Sequence, residues 1–237
     1  MTAKLRILWL ALIAVLAACS VAAPAARAGF IETEGLVSAT ITGEQISGTI
    51  TGSEVTQHKI TTAAGVLRCN SVKFHGKREA LSLGMLTVTP TFSGCTLGGF
   101  EAIVATNECD FEFRPQETVD PKNPDAIYTK AEIVCKATPE KPVHKIVITV
   151  PGTKCEVKIY GQAFGNEFVT ENTTTAQPKM DIHMLIDLHE MTYSVTNGAE
   201  CPNEPKDNIY LDGTYEGVST VKAEETGGGN AIGFRVT

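Results

Sequence analysis

Apolar and polar residues alternate with a two-residue period along most of this chain, and helical periodicity is nearly absent. Leu86, Val88, Pro90 and Phe92 alternate with Thr87, Thr89 and Thr91. Cys109, Phe111 and Phe113 alternate with Asp110, Glu112 and Arg114, and Cys155, Val157 and Ile159 with Glu156, Lys158 and Tyr160. Ile182, Met184, Ile186 and Leu188 continue the pattern, and Ile232, Phe234 and Val236 end it. Strands of this kind bury one face and wet the other, as in antiparallel sheets. The 29 threonines suit them, being β-branched with a hydroxyl that tolerates the wet face. Turn signals recur at Pro151-Gly152, Asn197-Gly198, Asp212-Gly213 and Gly227–Asn230. The spacing predicts about a dozen strands, too many for one small sheet. The expectation is an all-β fold, an antiparallel β-sandwich or Greek-key-like arrangement, in a single domain over residues 29–237. Two short repeats, Thr40–Gly43 with Thr49–Gly52 and Leu86–Cys95 with Ile146–Cys155, suggest two edges of one hairpin and an internal duplication.

The first 28 residues read as an export signal. Lys4 and Arg6 precede an apolar run from Ile7 to Ala18, and Ala26-Arg27-Ala28 forms a cleavage box. The run is shorter than the roughly 20 residues that span a bilayer. An alternative signal ends at residue 18, because Leu16-Ala17-Ala18-Cys19 resembles a bacterial lipobox, in which Cys19 would be lipidated. Either route places the protein outside the cytoplasm, secreted or lipid-anchored to the outer face of the membrane. Loss of the three cations Lys4, Arg6 and Arg27 takes the formal net charge from −7 to −10. An acidic chain without a Lys/Arg cluster argues against nucleic acid as a partner and leaves a lipid at Cys19 as the one route to a membrane.

Six cysteines remain: Cys69, Cys95, Cys109, Cys135, Cys155 and Cys201. An even number in an exported chain implies three disulfides. No two lie closer than fourteen positions, which is unlike the paired spacing of structural zinc sites. Their connectivity stays open, with one geometric argument available. A hairpin turning near Lys122, in the break Asp120–Asp125, sets Cys109 opposite Cys135, Phe111 opposite Ile133 and Phe113 opposite Ala131.

Candidate chemistry is sparse. Asp181, His183, Asp187 and His189 would share one side of a strand, a ligand set suited to a transition metal. The two histidines, however, are six residues apart, about 20 Å in a strand, and a polar wet face explains them. His189-Glu190-Met191-Thr192-Tyr193 begins like a zinc-protease motif but carries Tyr where the second His belongs. The oxygen-rich loops Asp120–Asp125 and Asn203–Asn208 lack the regular order of calcium loops and read as turns. Asn172-Thr173-Thr174 matches a glycosylation sequon. Trp9 leaves with the signal, and Tyr128, Tyr160, Tyr193, Tyr210 and Tyr215 are scattered, which lowers a lectin-like role. No catalytic residue, metal or cofactor is assigned.

The motifs Leu67-x-Cys69 with Phe74-x-Gly76, Leu86–Pro90 with Gly94-Cys95, Glu108–Phe111 with Phe113, Cys155–Val157, Met191–Tyr193 and Gly213–Tyr215 with Gly217 resemble a group of secreted, cysteine-containing β-rich proteins of actinobacteria, of the Solirubrobacterales type. Thr42–Gln45 is similar to it as well. The resemblance implies export and an all-β fold, and it supplies no catalytic residue. The expected function is a non-enzymatic, disulfide-stabilised surface that binds a ligand, a glycan or another envelope component, with a secreted hydrolase as the alternative. Intact-mass analysis of the exported protein should show Gly29 as the N-terminus, and six alkylatable thiols should appear only after reduction. An acylated Cys19 would establish the anchored form instead.

Overall fold

The structure is a computed structural model and describes residues 30–32, 38–79, 84–136, 145–173, 181–226 and 231–236. The expected export signal at 1–28, Cys19 and the expected turn at Gly227–Asn230 lie outside the described residues. Seventeen strands follow in order: β1 Phe30–Glu32, β2 Ser38–Gln45, β3 Gly48–Ile50, β4 Ser53–Val55, β5 Lys59–Thr62 and β6 Gly65–Glu79. Then come β7 Leu86–Leu97, β8 Phe100–Ala105, β9 Cys109–Asp120, β10 Asn123–Cys135, β11 Lys145–Thr149 and β12 Glu156–Tyr160. The last are β13 Gln162–Asn172, β14 Ile182–Thr196, β15 Asn208–Glu225, β16 Ala231–Ile232 and β17 Phe234–Val236. Among the described residues the one helical element is a 3₁₀ turn at Gly198–Glu200.

The main sheet closes on itself through β7, β9, β10, β13, β14, β15, β2 and β6. The all-β expectation holds, but the architecture is an eight-position barrel rather than the expected sandwich. A sandwich has two sheets with free edges; here β6 pairs with both β2 and β7, and β15 pairs with both β14 and β2. Alternation cannot separate the two folds, since both have one dry and one wet face.

Four long strands, β6, β7, β14 and β15, run the height of the barrel. Each remaining position is filled by two strands end to end. β8 and β9 both pair with β7, β10 and β11 both pair with the β8–β9 line, β12 and β13 both pair with β14, and β2 and β5 both pair with β6 and β15. Successive positions are neighbours and all pairs are antiparallel, so the topology is up-and-down, not Greek-key. The breaks have local causes. Asn107 and Glu108 take left-handed φ values of 48° and 60° between β8 and β9. Gly161 separates β12 from β13 where a Cβ would lie 3.2 Å from the Ile133 carbonyl oxygen.

Inward residues make one continuous core from Phe30 to Val236. Rings run through it: Phe74 packs on Phe111, Phe111 on Phe113 and Tyr215, and Phe113 edge-on against Phe168 at 5.6 Å between centroids. Outward positions carry Lys73, Arg114, Lys130, Glu132, Lys158 and Glu167. An apolar interior with a charged exterior is the inverse of a lipid-facing barrel.

The disulfides join Cys69 to Cys95, Cys109 to Cys135, and Cys155 to Cys201. The first two link residues directly opposite each other on neighbouring strands. The hairpin of β9 and β10 has the register read from the sequence, with Phe111 opposite Ile133 and Phe113 opposite Ala131. The third bridge pins the segment 197–207 across one end of the barrel, where the Cβ of Pro202 closes on Gly98. At the other end β1 pairs with β17, and Phe30 and Val236 are buried there. Five of the six cysteines are buried and Cys135 is partly so, which fits an oxidising compartment outside the cytoplasm.

Neither repeat is structural. Thr40–Gly43 lies in β2, whereas Thr49–Gly52 lies in β3 and its turn and pairs with β4. Cys95 is inside β7, while Cys155 precedes β12. Replacing Cys109 and Cys135 together by Ala should lower the unfolding free energy by about 2–4 kcal/mol in urea titration. Replacing Cys155 and Cys201 should instead increase hydrogen exchange first in residues 197–207.

Candidate functional site

Polar or aromatic side chains meet at several places among the described residues, one of them an outer-wall depression with Glu44, Lys73, His75, Lys222 and Glu224. The first is inside the barrel. His58 is 1% exposed and lies against the backbone of Gly217, where a Cβ would approach its Nδ1 to within 2.2 Å. The Tyr215 hydroxyl is 2.7 Å from Nδ1; Ser219 Oγ and the Val218 carbonyl oxygen are 2.9 and 3.2 Å from Nε2. The neutral ring satisfies this set: Tyr215 donates to Nδ1, and Nε2–H donates toward Ser219 and Val218. Burial holds the His58 pKa down at about 4, partly opposed by the Val218 carbonyl, and burial pushes the Tyr215 hydroxyl up. The Ser219–His58–Tyr215 row looks like a nucleophile with its base, yet Ser219 is fully buried and no substrate atom can reach it.

Of the three residues the sequence marks only Tyr215, as a scattered tyrosine and as part of the Gly213–Tyr215 motif, and gives none of them a role. The signal was present as alternation: His58 shares its face with Ile60 and Thr62, and Tyr215, Gly217 and Ser219 share theirs.

The second place is a surface depression of about 410 Å³ lined by Asn123, Asp125, Glu171, Asn172, Thr173, Asp181 and His183. His183 Nδ1 is 3.7 Å from Glu171 Oε1, with both side chains about one-third exposed. Burial raises the Asp181 carboxyl, opposed by Lys222 and His183. The other members are occupied with holding the chain. Asn123 Nδ2 donates to Glu171, and the Asn172 amide bonds both the N–H and the carbonyl oxygen of Val236. The sequon asparagine therefore serves as a stand-in for backbone that secures the last strand.

His189 does not join this group. It pairs with Asp187 at 3.1 Å on the outer face, more than half exposed. Asp181, His183, Asp187 and His189 thus divide between two places. Among the described residues no group of three or more His, Cys, Asp or Glu has metal-holding geometry. Glu190 has φ 58° at an irregularity in β14, so His189–Tyr193 is bulged strand and not the helix a zinc-protease motif needs. The oxygen-rich loops perform turn chemistry: Asp120 caps Lys122 N–H, Asn123 caps Asp125 N–H, and Asp207 accepts from Gly198 N–H at 2.6 Å. Of the tyrosines, Tyr193 and Tyr210 stack at 5.2 Å between centroids. The Tyr193 hydroxyl takes the Ala63 N–H and donates to Asp212, and burial raises its pKa to about 12.

The third place is a groove of about 240 Å³ at the disulfide-pinned end, lined by Phe100, Val150, Thr153, Ala199, Glu200, Cys201, Pro202 and Glu204. Phe100 is 61% exposed at its edge. Glu200 is held by the Lys154 N–H at 2.7 Å. Ile103, Ile209 and Leu211 add exposed apolar side chains toward the same end of the barrel. No sequence signal separated Phe100 from core residues, because its exposure follows from its place beside the Gly98-Gly99 turn.

No family model matches the chain, and neither does any curated protein or solved structure.

The pH dependence of stability follows from His58. The unfolded side chain titrates near 6.5, while the folded one is held at about 4. Between these values the unfolded chain takes up a proton that the folded barrel refuses. This contribution is complete above about pH 6.5 and is lost as the pH falls toward 4, by up to about 3 kcal/mol. Urea unfolding across that range should show the decline, and a His58→Gln variant should be less stable at neutral pH with a flatter slope.

Proposed function

We propose that the mature chain is an extracytoplasmic, non-enzymatic barrel that presents a preformed surface to an envelope component or glycan. The carrying observation is the exposed Phe100 ring beside the groove with Thr153, Glu200 and Glu204. An aromatic face next to hydrogen-bonding oxygens suits a sugar ring, which stacks through its C–H face and donates hydroxyl protons at its rim. The Cys155–Cys201 bridge holds the groove in place, so binding requires little ordering. The resemblance to secreted β-rich proteins of actinobacteria and the signal at 1–28 support a location in or beyond the envelope. Co-sedimentation with purified cell-wall glycan should retain the wild-type barrel, and Phe100→Ser should weaken retention at least tenfold without changing thermal stability. Equal retention of both forms would overturn this reading.

One observation favours the hydrolase alternative. His183 lies beside Glu171 and Asp181 in the larger depression, an arrangement able to move protons. The pair is solvated, and the Asn123, Asn172 and Thr173 side chains beside it are hydrogen-bonded within the chain, which keeps this reading second. Glycan cleavage abolished by His183→Ala would reverse the order.

A further inference from the structure

Residues 46–58 leave the barrel wall and return to it. β2 ends at Gln45, opposite Ser219, and the wall resumes with Lys59, opposite Glu216. β15 runs on unbroken, so Gly217 and Val218, paired with β14 on one side, have no strand across from them on the other. This gap is closed from within by the His58 ring and from outside by the β3–β4 hairpin. The hairpin turns through Thr51 and Gly52, both with positive φ, and rests on the barrel through a separate small cluster. In that cluster Ile46, Ile50 and Val55 cover Val218 and Leu185. Four hydrogen bonds tie the ends of the excursion: Ile46 N–H to the Val218 carbonyl oxygen at 2.9 Å, His58 N–H to Gln45 Oε1 at 3.1 Å, Cys69 N–H to the His58 carbonyl oxygen at 3.4 Å, and Gln57 Nε2 to Asn70 Oδ1 at 3.4 Å.

We propose that residues 46–58 form an acid-released flap: a proton on His58 detaches the hairpin and uncovers an apolar strip on β14 and β15 centred on Leu185 and Val218. The attachment has two parts of unequal kind. The outer part is a handful of apolar contacts, and a hairpin with three-residue strands has little stability of its own. The inner part is the ring, whose neutral form gives the buried Tyr215 hydroxyl its acceptor at Nδ1. A proton from solvent on Nδ1 removes the acceptor that the Tyr215 hydroxyl uses and leaves a cation facing neutral oxygens in a closed core.

The charged groups around the gap do not compensate it. From β15 the ring meets Tyr215 and Ser219, and Glu216 turns outward onto Lys59 Nζ at 2.6 Å. From β6 it meets Phe74, while Lys73 and His75 flank that residue on the outer face together with Glu44 and Lys222 of β2 and β15. Phe111 of β9 stands behind Tyr215. Among the described residues no carboxylate faces the imidazole. The depressed basicity of His58 agrees with this surround. Opening the flap returns the ring to water and lets it hold the proton at its ordinary affinity, so acid favours the open form.

Local and global opening are distinguishable by native-state hydrogen exchange on the full mature chain, at about pH 7 and about pH 5, corrected for intrinsic rates. The opening constant of amides in residues 46–58 should rise at least tenfold, as expected for linkage of up to about tenfold per pH unit. Amides of β9 and β10, which open only on global unfolding, should stay far better protected than the flap at both pH values, and His58→Gln should abolish the acid response of the flap. An unchanged flap, flap amides as strongly protected at about pH 5 as those of β9 and β10, or a response that survives in the variant would each overturn the proposal. If the variant does not fold, the wild-type His58 ring signals provide the check. Titration in step with flap opening supports the device, and a ring that stays neutral while the flap opens refutes it.

Discussion

Closure of the hydrogen-bond ladder is the constraint on which everything else here depends. A strand edge in water leaves N–H and C=O groups open to any other strand. This chain removes the problem by pairing its last long strand, β15, with β2 and β5 near its beginning. Such pairing spans most of the sequence and carries a large loop-closure cost before it is rewarded. The Cys69–Cys95 and Cys109–Cys135 bridges lower the entropy of the open chain within two of its hairpins. They staple neighbours and leave the ring itself to be closed by packing.

A closed wall with an apolar filling also dictates where function can reside. Large inward side chains occupy the interior, and the ends are crossed by the β1–β17 ribbon and by the segment that Cys201 anchors. Chemistry is therefore displaced to the outer wall and the rims. The groove beside Phe100 and the depression beside His183 stand at opposite ends for this reason. The flap is the exception, because it fills a position where the wall has no strand of its own.

Some of this was legible from residues alone. Alternation marked β7, β9, β12 and β14, and the Cys109–Cys135 hairpin register followed from counting back from a turn near Lys122. His58 was legible in principle, through its phase with Ile60 and Thr62, but an isolated histidine beside Gln57 carries no sign of what will face it. Its partners Tyr215 and Ser219 lie more than 150 positions away. Phe100 was illegible, since an aromatic in a strand is usually core, and exposure here comes from its position at a hairpin tip.

The sequence by itself determined strands, their dry and wet faces and the even set of cysteines, because each is read from the residues alone or from neighbours a few positions away. The tertiary structure decided between sandwich and barrel, chose the partners of Cys155 and Cys69, and buried His58. These outcomes depend on which strand meets which across the whole chain. Side-chain period records only that a strand has an inside, and says nothing about whether the sheet that contains it closes.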